Sequence, residues 1–212
     1  MTIKEFMQKV HATAVAKGWW EKDQETGRLK ARNTAEMLAL MHSEVAEALE
    51  IYRIPNKKLS DLWTSNGGVA TSNPLTQVEV EAHCQVMDPD FAGKPEGFMV
   101  EIGDLMIRIA DTCEAMSIPL DVVLCNTDIS RLSWGRNVLD VVVSELLQHM
   151  NVCLVYAFNA IRNGRAAAES FAEIFHTCAH IATLAGVSLE YVLVWKMRYN
   201  ETRSYRHGNK KC

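Results

Sequence analysis

The sequence predicts an all-α protein. Apolar residues recur at the three- and four-residue spacing of amphipathic helices along most of the 212 residues. The strict alternation of apolar and polar residues that is typical of half-buried strands is nearly absent. Capping and helix-breaking residues separate the helical stretches. A chain of this length can bury a substantial core, and residues 1–212 are predicted to form a single all-α domain.

The amino-terminal part predicts two helices. Residues Thr2 to Lys17 have an amphipathic pattern, and Gly18 marks the end of that helix. Asn33-Thr34-Ala35-Glu36 has the sequence of a capping box, because a side chain that accepts hydrogen bonds is followed three residues later by Glu. The second helix is therefore expected to begin there and to run to about Arg53.

The middle of the chain changes in composition. Residues 54–97 are rich in Asn, Ser, Gly and Pro, which predicts an insertion or a lid rather than core, apart from a short segment around Gln77 to Val86. A further helix is predicted from about Glu96 to Met116. The sequence Ile118-Pro119-Leu120-Asp121 then breaks this helix before the next one begins.

Two acidic motifs lie within these helices, Glu44-Val45-Ala46-Glu47 and Glu101-Ile102-Gly103-Asp104. A three-residue step turns a helix by roughly 300°, so each motif places two carboxylates on one side. Both pairs border the apolar stripe of their helix, where packed helices meet. Four carboxylates could converge there only if cations held them, and hard divalent ions, Mg²⁺ before others, prefer such oxygen ligands. Either motif alone is common on a solvated helix face.

The carboxyl-terminal half resembles the first half in weakened form. Ser117 to Val123 aligns with Gly186 to Val192. The residues that correspond to the four acids are Glu145, Gln148, Ser170 and Glu173. The interpretation is a repeat over 1–128, which carries the acidic motifs, and a degenerate copy with a basic tail over 129–212. The alternative is a chance similarity between amphipathic helices.

Several further motifs follow one another in a fixed order along the chain. They are Lys17 to Trp20, Leu40 to Leu49, Lys94 to Gly97, the motif at Glu101, Lys196 to Asn200, Arg203, Tyr205, His207-Gly208 and Lys210. In this combination the chain resembles the MazG-like all-α nucleoside triphosphate pyrophosphohydrolases, which are frequent in bacteriophages and whose superfamily includes dimeric dUTPases and dCTP pyrophosphatases. The resemblance implies a helical bundle that binds Mg²⁺, for which Mn²⁺ can substitute. It also implies hydrolysis of a nucleoside triphosphate to monophosphate and pyrophosphate, with dGTP as the first candidate.

The resemblance also implies roles for individual residues. The metal ligands are Glu44, Glu47, Glu101 and Asp104, and Glu47 and Glu44 are the catalytic candidates, with Glu47 orienting or deprotonating the attacking water. The candidates for the phosphates and sugar are Lys196, Asn200, Arg203, Lys210 and Lys211. The candidates for the base are Trp19, Trp20 and His42. For the tryptophans a packed anchor is the alternative, and for His42 a buried histidine with satisfied hydrogen bonds.

Composition limits the partners. A net charge of −4 argues against binding a nucleic-acid polymer, so a small nucleotide is the expected ligand. We expect no signal peptide, no membrane span, and six reduced cysteines without a CxxC motif, in the cytoplasm of a cell or of a phage host. A homo-oligomer stays open. Two other functions also stay open, namely a di-iron carboxylate bundle and a catalytically inactive nucleotide-binding helical module.

Overall fold

The computed structural model describes residues 1–65, 69–70, 93–132 and 142–206. Most of these residues are helical, which confirms the all-α class. The α-helices are α1 (Ile3–Ala16), α2 (Thr34–Tyr52), α3 (Phe98–Ala115), α4 (Leu120–Val123), α5 (Val143–Arg162), α6 (Ala168–Ala185) and α7 (Leu189–Thr202). The short segment predicted around Gln77 to Val86 lies outside the described residues.

Side-chain caps fix the beginnings of the first two helices. Asn33 caps α2 as predicted, because its side chain accepts hydrogen bonds from the backbone N–H groups of Ala35 and Glu36. Thr2 caps α1 through a capping box with Glu5 that the sequence analysis did not include. Both helices therefore begin within one residue of the predicted positions.

Three short strands correct the expectation for residues 54–97. β1 (Leu62–Thr64) pairs antiparallel with β2 (Val69–Ala70) on one side and with β3 (Pro95–Glu96) on the other. Leu62 is 1% exposed and belongs to the hydrophobic core, so the two ends of this segment are part of the fold. Strands of two or three residues are too short for an alternating pattern to be recognised in the sequence.

Helix α3 lies at the centre of the structure. It packs against α1, α2, α6 and α7, and its residues Ile102, Leu105 and Ile109 are fully buried. Helix α5 packs against α6 and α2. Phe6 of α1 and Phe175 of α6 also meet in the core, with ring centroids 6.3 Å apart. The acidic motifs of α2 and α3 are therefore held between extensively packed helices.

The helices that precede the two aligned segments of the proposed repeat end in the same geometry, whereas the helices within these segments differ, since α4 has four residues and α7 has fourteen. Ser117 after α3 and Gly186 after α6 both adopt positive φ, at 53° and 67°. The residue after each donates a backbone hydrogen bond to the carbonyl five residues earlier, at 2.8 Å from Ile118 and 3.0 Å from Val187. A duplication would give this match, although the boundaries 1–128 and 129–212 stay a prediction.

None of the described helices is, by itself, both long and apolar enough to cross a membrane. Helices α6 and α7 reach that length and composition only when taken together, and they are bent by 108° at the break between them.

Gly97 sets the beginning of α3 and provides a test of this fold. Its φ of +136° is accessible almost only to glycine, and an added Cβ atom would lie 2.5 Å from the Asp61 carbonyl oxygen. We expect Gly97→Ala to lower the free energy of unfolding by about 2 kcal/mol or more. Gly27→Ala is the matched control, because Gly27 also has positive φ but no atom within 4 Å; we expect a loss of about 1 kcal/mol or less. Equal losses in denaturant titrations would contradict this account.

Candidate functional site

Three of the predicted metal ligands converge between α2 and α3. Carboxylate oxygens of Glu44, Glu101 and Asp104 all lie within 4.8 Å of one another. Glu44 and Glu101 are each 4% exposed, and Asp104 is half-buried. We call these three residues the acidic cluster. Its position places three of the four predicted acids where the two helices meet.

Glu47 is placed differently. Its side chain is exposed, and it is not part of the acidic cluster. It remains close enough to Glu44 for its charge to contribute to raising the pKa of that residue, after the larger effect of burial. Glu47 is therefore next to the acidic cluster on its solvent side.

Two cations neutralise part of the acidic cluster. Lys196 of α7 is almost completely buried, and its Nζ atom lies 2.7 Å from Asp104 Oδ2. Arg108, one turn after Asp104 on α3, donates from Nε to Glu44 Oε1. The resemblance assigns Lys196 to the phosphates, whereas here it pairs with Asp104, and it assigns no role to Arg108. The spacing of four residues between Asp104 and Arg108 was the available signal, because it places both on one edge of the helix.

Gly103 allows α7 to approach α3 closely enough for Lys196 to reach Asp104. A Cβ atom on Gly103 would lie 3.2 Å from Val192 Cγ1, which is tighter than ordinary van der Waals contact. Because Val192 lies one turn before Lys196, the close contact brings the Lys196 side chain to Asp104. The glycine in the second acidic motif is thus explained by helix packing.

The acidic cluster has strongly perturbed protonation. Burial, together with the charges of Asp104 and Glu44, raises the pKa of Glu101 to about 7, although the charge of Lys196 opposes this change. Burial also raises the pKa of Glu44, although the guanidinium of Arg108 opposes this change. Near neutral pH a proton therefore provides part of the positive charge that the three carboxylates require.

A cavity of about 290 Å³ adjoins the acidic cluster. Asp104 belongs to both, so a ligand in the cavity can reach the cluster. The apolar part of the wall consists of Val10, Ala14, Trp19, Leu40, Ile107 and Met197. The polar part includes Arg108, Asp111, Asn200 and Arg203. Asp111 lies seven residues after Asp104 on α3, so the polar wall extends about 10 Å from the cluster.

Asn200 and Arg203 lie on this wall as predicted ligand-binding residues. The Asn200 Oδ1 atom is buried and has no hydrogen-bond partner in the described part of the chain. Burial lowers the pKa of Arg203, whose guanidinium carbon lies 5.6 Å from the centroid of the Tyr199 ring. Lys210 and Lys211, the remaining phosphate candidates, lie outside the described residues.

The three residues predicted to contact the nucleobase have different surroundings in the structure. Trp19 lines the cavity. Trp20 is 6% exposed, and its Nε1 atom donates to both carboxylate oxygens of Asp111, at 2.9 and 3.0 Å, which fits the packed-anchor alternative. His42 Nδ1 lies 2.7 Å from Asn151 Oδ1 and links α2 to α5, which fits the alternative of a satisfied histidine. Of the three residues, Trp19 is the one placed to contact a ligand in the cavity.

Comparison of the chain with protein-family models, with curated proteins and with solved structures finds no match. The activity of the chain therefore has to be inferred from its sequence motifs and from the geometry of the acidic cluster and the cavity.

The raised pKa of Glu101 predicts how stability depends on pH. Between its ordinary value of 4.5 and about 7, the folded protein holds a proton that the unfolded chain has released, so stability falls as pH rises through this window. Glu101→Gln removes this effect. In the absence of divalent cations we expect the variant to exceed the wild type by about 3 kcal/mol at pH 8 and to match it near pH 4.

Glu173→Gln is the matched control for this measurement, because Glu173 is an exposed acid in the second half. Its unfolding free energy should follow that of the wild type at every pH. If the difference between Glu101→Gln and the wild type were independent of pH, Glu101 would not be held protonated by its surroundings.

Proposed function

We propose that the chain is a Mg²⁺-dependent nucleotide pyrophosphohydrolase, which converts a nucleoside triphosphate to the monophosphate and pyrophosphate. The observation that carries the proposal is a buried cluster of three carboxylates beside a cavity whose wall contains three arginines, Arg32, Arg108 and Arg203. This arrangement offers ligands for a divalent cation and, next to them, contacts for an anion. The resemblance of the sequence motifs to MazG-like enzymes supports the same activity.

The donor atoms of the acidic cluster fit Mg²⁺. All three side chains offer carboxylate oxygens, which this hard cation prefers, and their spacing within 4.8 Å allows them to share an ion. Glu44, Glu101 and Asp104 would hold the cation, with Glu47 close by on the solvent side. When bound, such a cation neutralises phosphate oxygens and lowers the pKa of a bound water.

The other residues have roles set by their positions. The cavity would hold the nucleoside, with its apolar wall and Trp19 against the base. Arg203 faces the same cavity and would bind phosphate oxygens through charge-assisted hydrogen bonds. Glu47 is exposed next to the acidic cluster, where it could accept the proton of an attacking water. We keep dGTP as the first candidate substrate, on the resemblance alone.

The alternatives differ in what they require. A di-iron bundle of the ferritin type uses histidine together with carboxylates, whereas the acidic cluster consists of carboxylates only. An inactive nucleotide-binding module would use the same cavity and differs in releasing no pyrophosphate. The donor set therefore favours Mg²⁺ over a di-iron centre, and release of pyrophosphate is what distinguishes the enzyme from the inactive module.

Substitution of the acidic cluster tests the proposal. We expect Glu44→Gln, Glu101→Gln and Asp104→Asn each to lower turnover by roughly a hundredfold or more, because each removes a ligand charge. The helical content measured by circular dichroism should stay unchanged for Glu44→Gln and Glu101→Gln, since these substitutions also relieve repulsion between carboxylates, whereas Asp104→Asn leaves the buried Lys196 charge unpaired and is expected to lower stability. The double variant Glu145→Gln/Glu173→Gln is the control, because the aligned acids of the second half are exposed. Near wild-type rates in any two cluster variants would show that the metal ligands lie elsewhere.

The products distinguish this reaction from stepwise dephosphorylation. With dGTP and Mg²⁺, phosphorus NMR should show dGMP and pyrophosphate as the first products, because the attack occurs at an inner phosphorus. Removal of Mg²⁺ with EDTA should stop the reaction, and Mn²⁺ should restore it. Orthophosphate together with dGDP as first products would contradict the proposal, and a screen of other triphosphates would identify the preferred base.

A further inference from the structure

Arg108 contacts both parts of the site. Its Nε atom donates to Glu44 Oε1 in the acidic cluster, and the same side chain lines the cavity with Arg203. Burial lowers the pKa of Arg203; Tyr199 and Asp104 oppose this change, and the charge of Arg108 adds a smaller lowering, so the two guanidinium groups are close enough to repel each other. Two like charges that face one cavity are a favourable arrangement when an anion lies between them.

The charges of the acidic cluster are already partly neutralised without a metal ion. Arg108 and Lys196 pair with Glu44 and Asp104, two of the three acids. A divalent cation would add two positive charges within a few ångströms of these groups. Because partly buried cations repel one another at such distances, withdrawal of an internal cation favours binding of the metal.

Exposure indicates which cation can withdraw. The Lys196 side chain is 2% exposed and is enclosed by the packed helices, so it cannot leave Asp104 without moving α7. The Arg108 side chain is 39% exposed and borders the cavity, which offers it space to turn away from Glu44. Arg108 is therefore the side chain that is free to change partners.

We propose that Arg108 exchanges partners during ligand binding: it neutralises Glu44 in the metal-free protein and binds the anionic group of the ligand once a divalent cation holds Glu44. The inference rests on the proposed function, because the anion is the polyphosphate of the nucleotide. Arg203, which has no ion-pair partner in the described ranges, contacts the same anion. Cation and anion then favour each other's binding by the same factor, since linkage is reciprocal.

Arg108→Met tests the exchange through two binding measurements. Isothermal titration of the metal-free protein with Mg²⁺ at about pH 8.5, where the acids are ionised, should show several-fold tighter binding, because no internal cation competes for Glu44. Binding of the non-hydrolysable α,β-imido analogue of dGTP in the presence of Mg²⁺ should weaken by roughly tenfold to a hundredfold. A purely structural role would not produce changes of opposite sign.

Two further variants complete the experiment. Arg108→Gln removes the charge but keeps a donor for Glu44, so it should show the same pair of changes and carries the test if the Met variant does not fold. Arg131→Met is the matched control, because Arg131 is exposed and, among the residues that the structure describes, is paired with Asp128 alone, at 3.9 Å; neither affinity should change.

Three results would overturn the exchange. They are weaker Mg²⁺ binding in both Arg108 variants, an unchanged affinity for the analogue, and a wild-type protein that does not bind the analogue. Both readouts are binding measurements, so they separate this inference from the proposed reaction. A protein that binds the analogue with the predicted dependence on Arg108, but releases no pyrophosphate from dGTP, would refute the enzyme and leave the exchange standing.

Discussion

The burial of three carboxylates between packed helices is the constraint on which the site depends. Ionised groups removed from water destabilise the folded state unless positive charge accompanies them. Here the charge comes from Lys196, from Arg108 and, near neutral pH, from a proton that Glu101 retains because burial raises its pKa to about 7. A divalent ion can provide this positive charge in place of the proton on Glu101 and of the Arg108 side chain.

The helices around α3 determine where these charges meet. Gly97 begins the helix with a backbone conformation that other residues rarely adopt, and this fixes the position of the second acidic motif. Gly103 then lets α7 approach until Lys196 reaches Asp104. The same arrangement leaves a cavity beside the cluster, with Trp19 on its wall. Packing and charge are thus linked, because the contacts that bury the acids also create the space for a ligand.

The sequence predicted what local patterns determine. Periodicity and the Asn33 cap gave the helices, and the three-residue spacing placed Glu44, Glu101 and Asp104 where helices meet. Local patterns do not determine which side chain of a distant helix arrives at a given point. For that reason the sequence did not show that Lys196 pairs with Asp104 or that Asp111 is the residue that anchors Trp20. The strands around Leu62 were missed because they are only two or three residues long.

Crystals of the protein soaked in Mn²⁺ would test the central claim most directly, because anomalous scattering locates the ion without reference to activity. The account predicts an anomalous peak bound by carboxylate oxygens of Glu44, Glu101 and Asp104, with the Arg108 guanidinium moved away from Glu44. The contradicting result is a cluster that holds no ion at saturating Mn²⁺ and keeps both pairs, Arg108 with Glu44 and Lys196 with Asp104, unchanged.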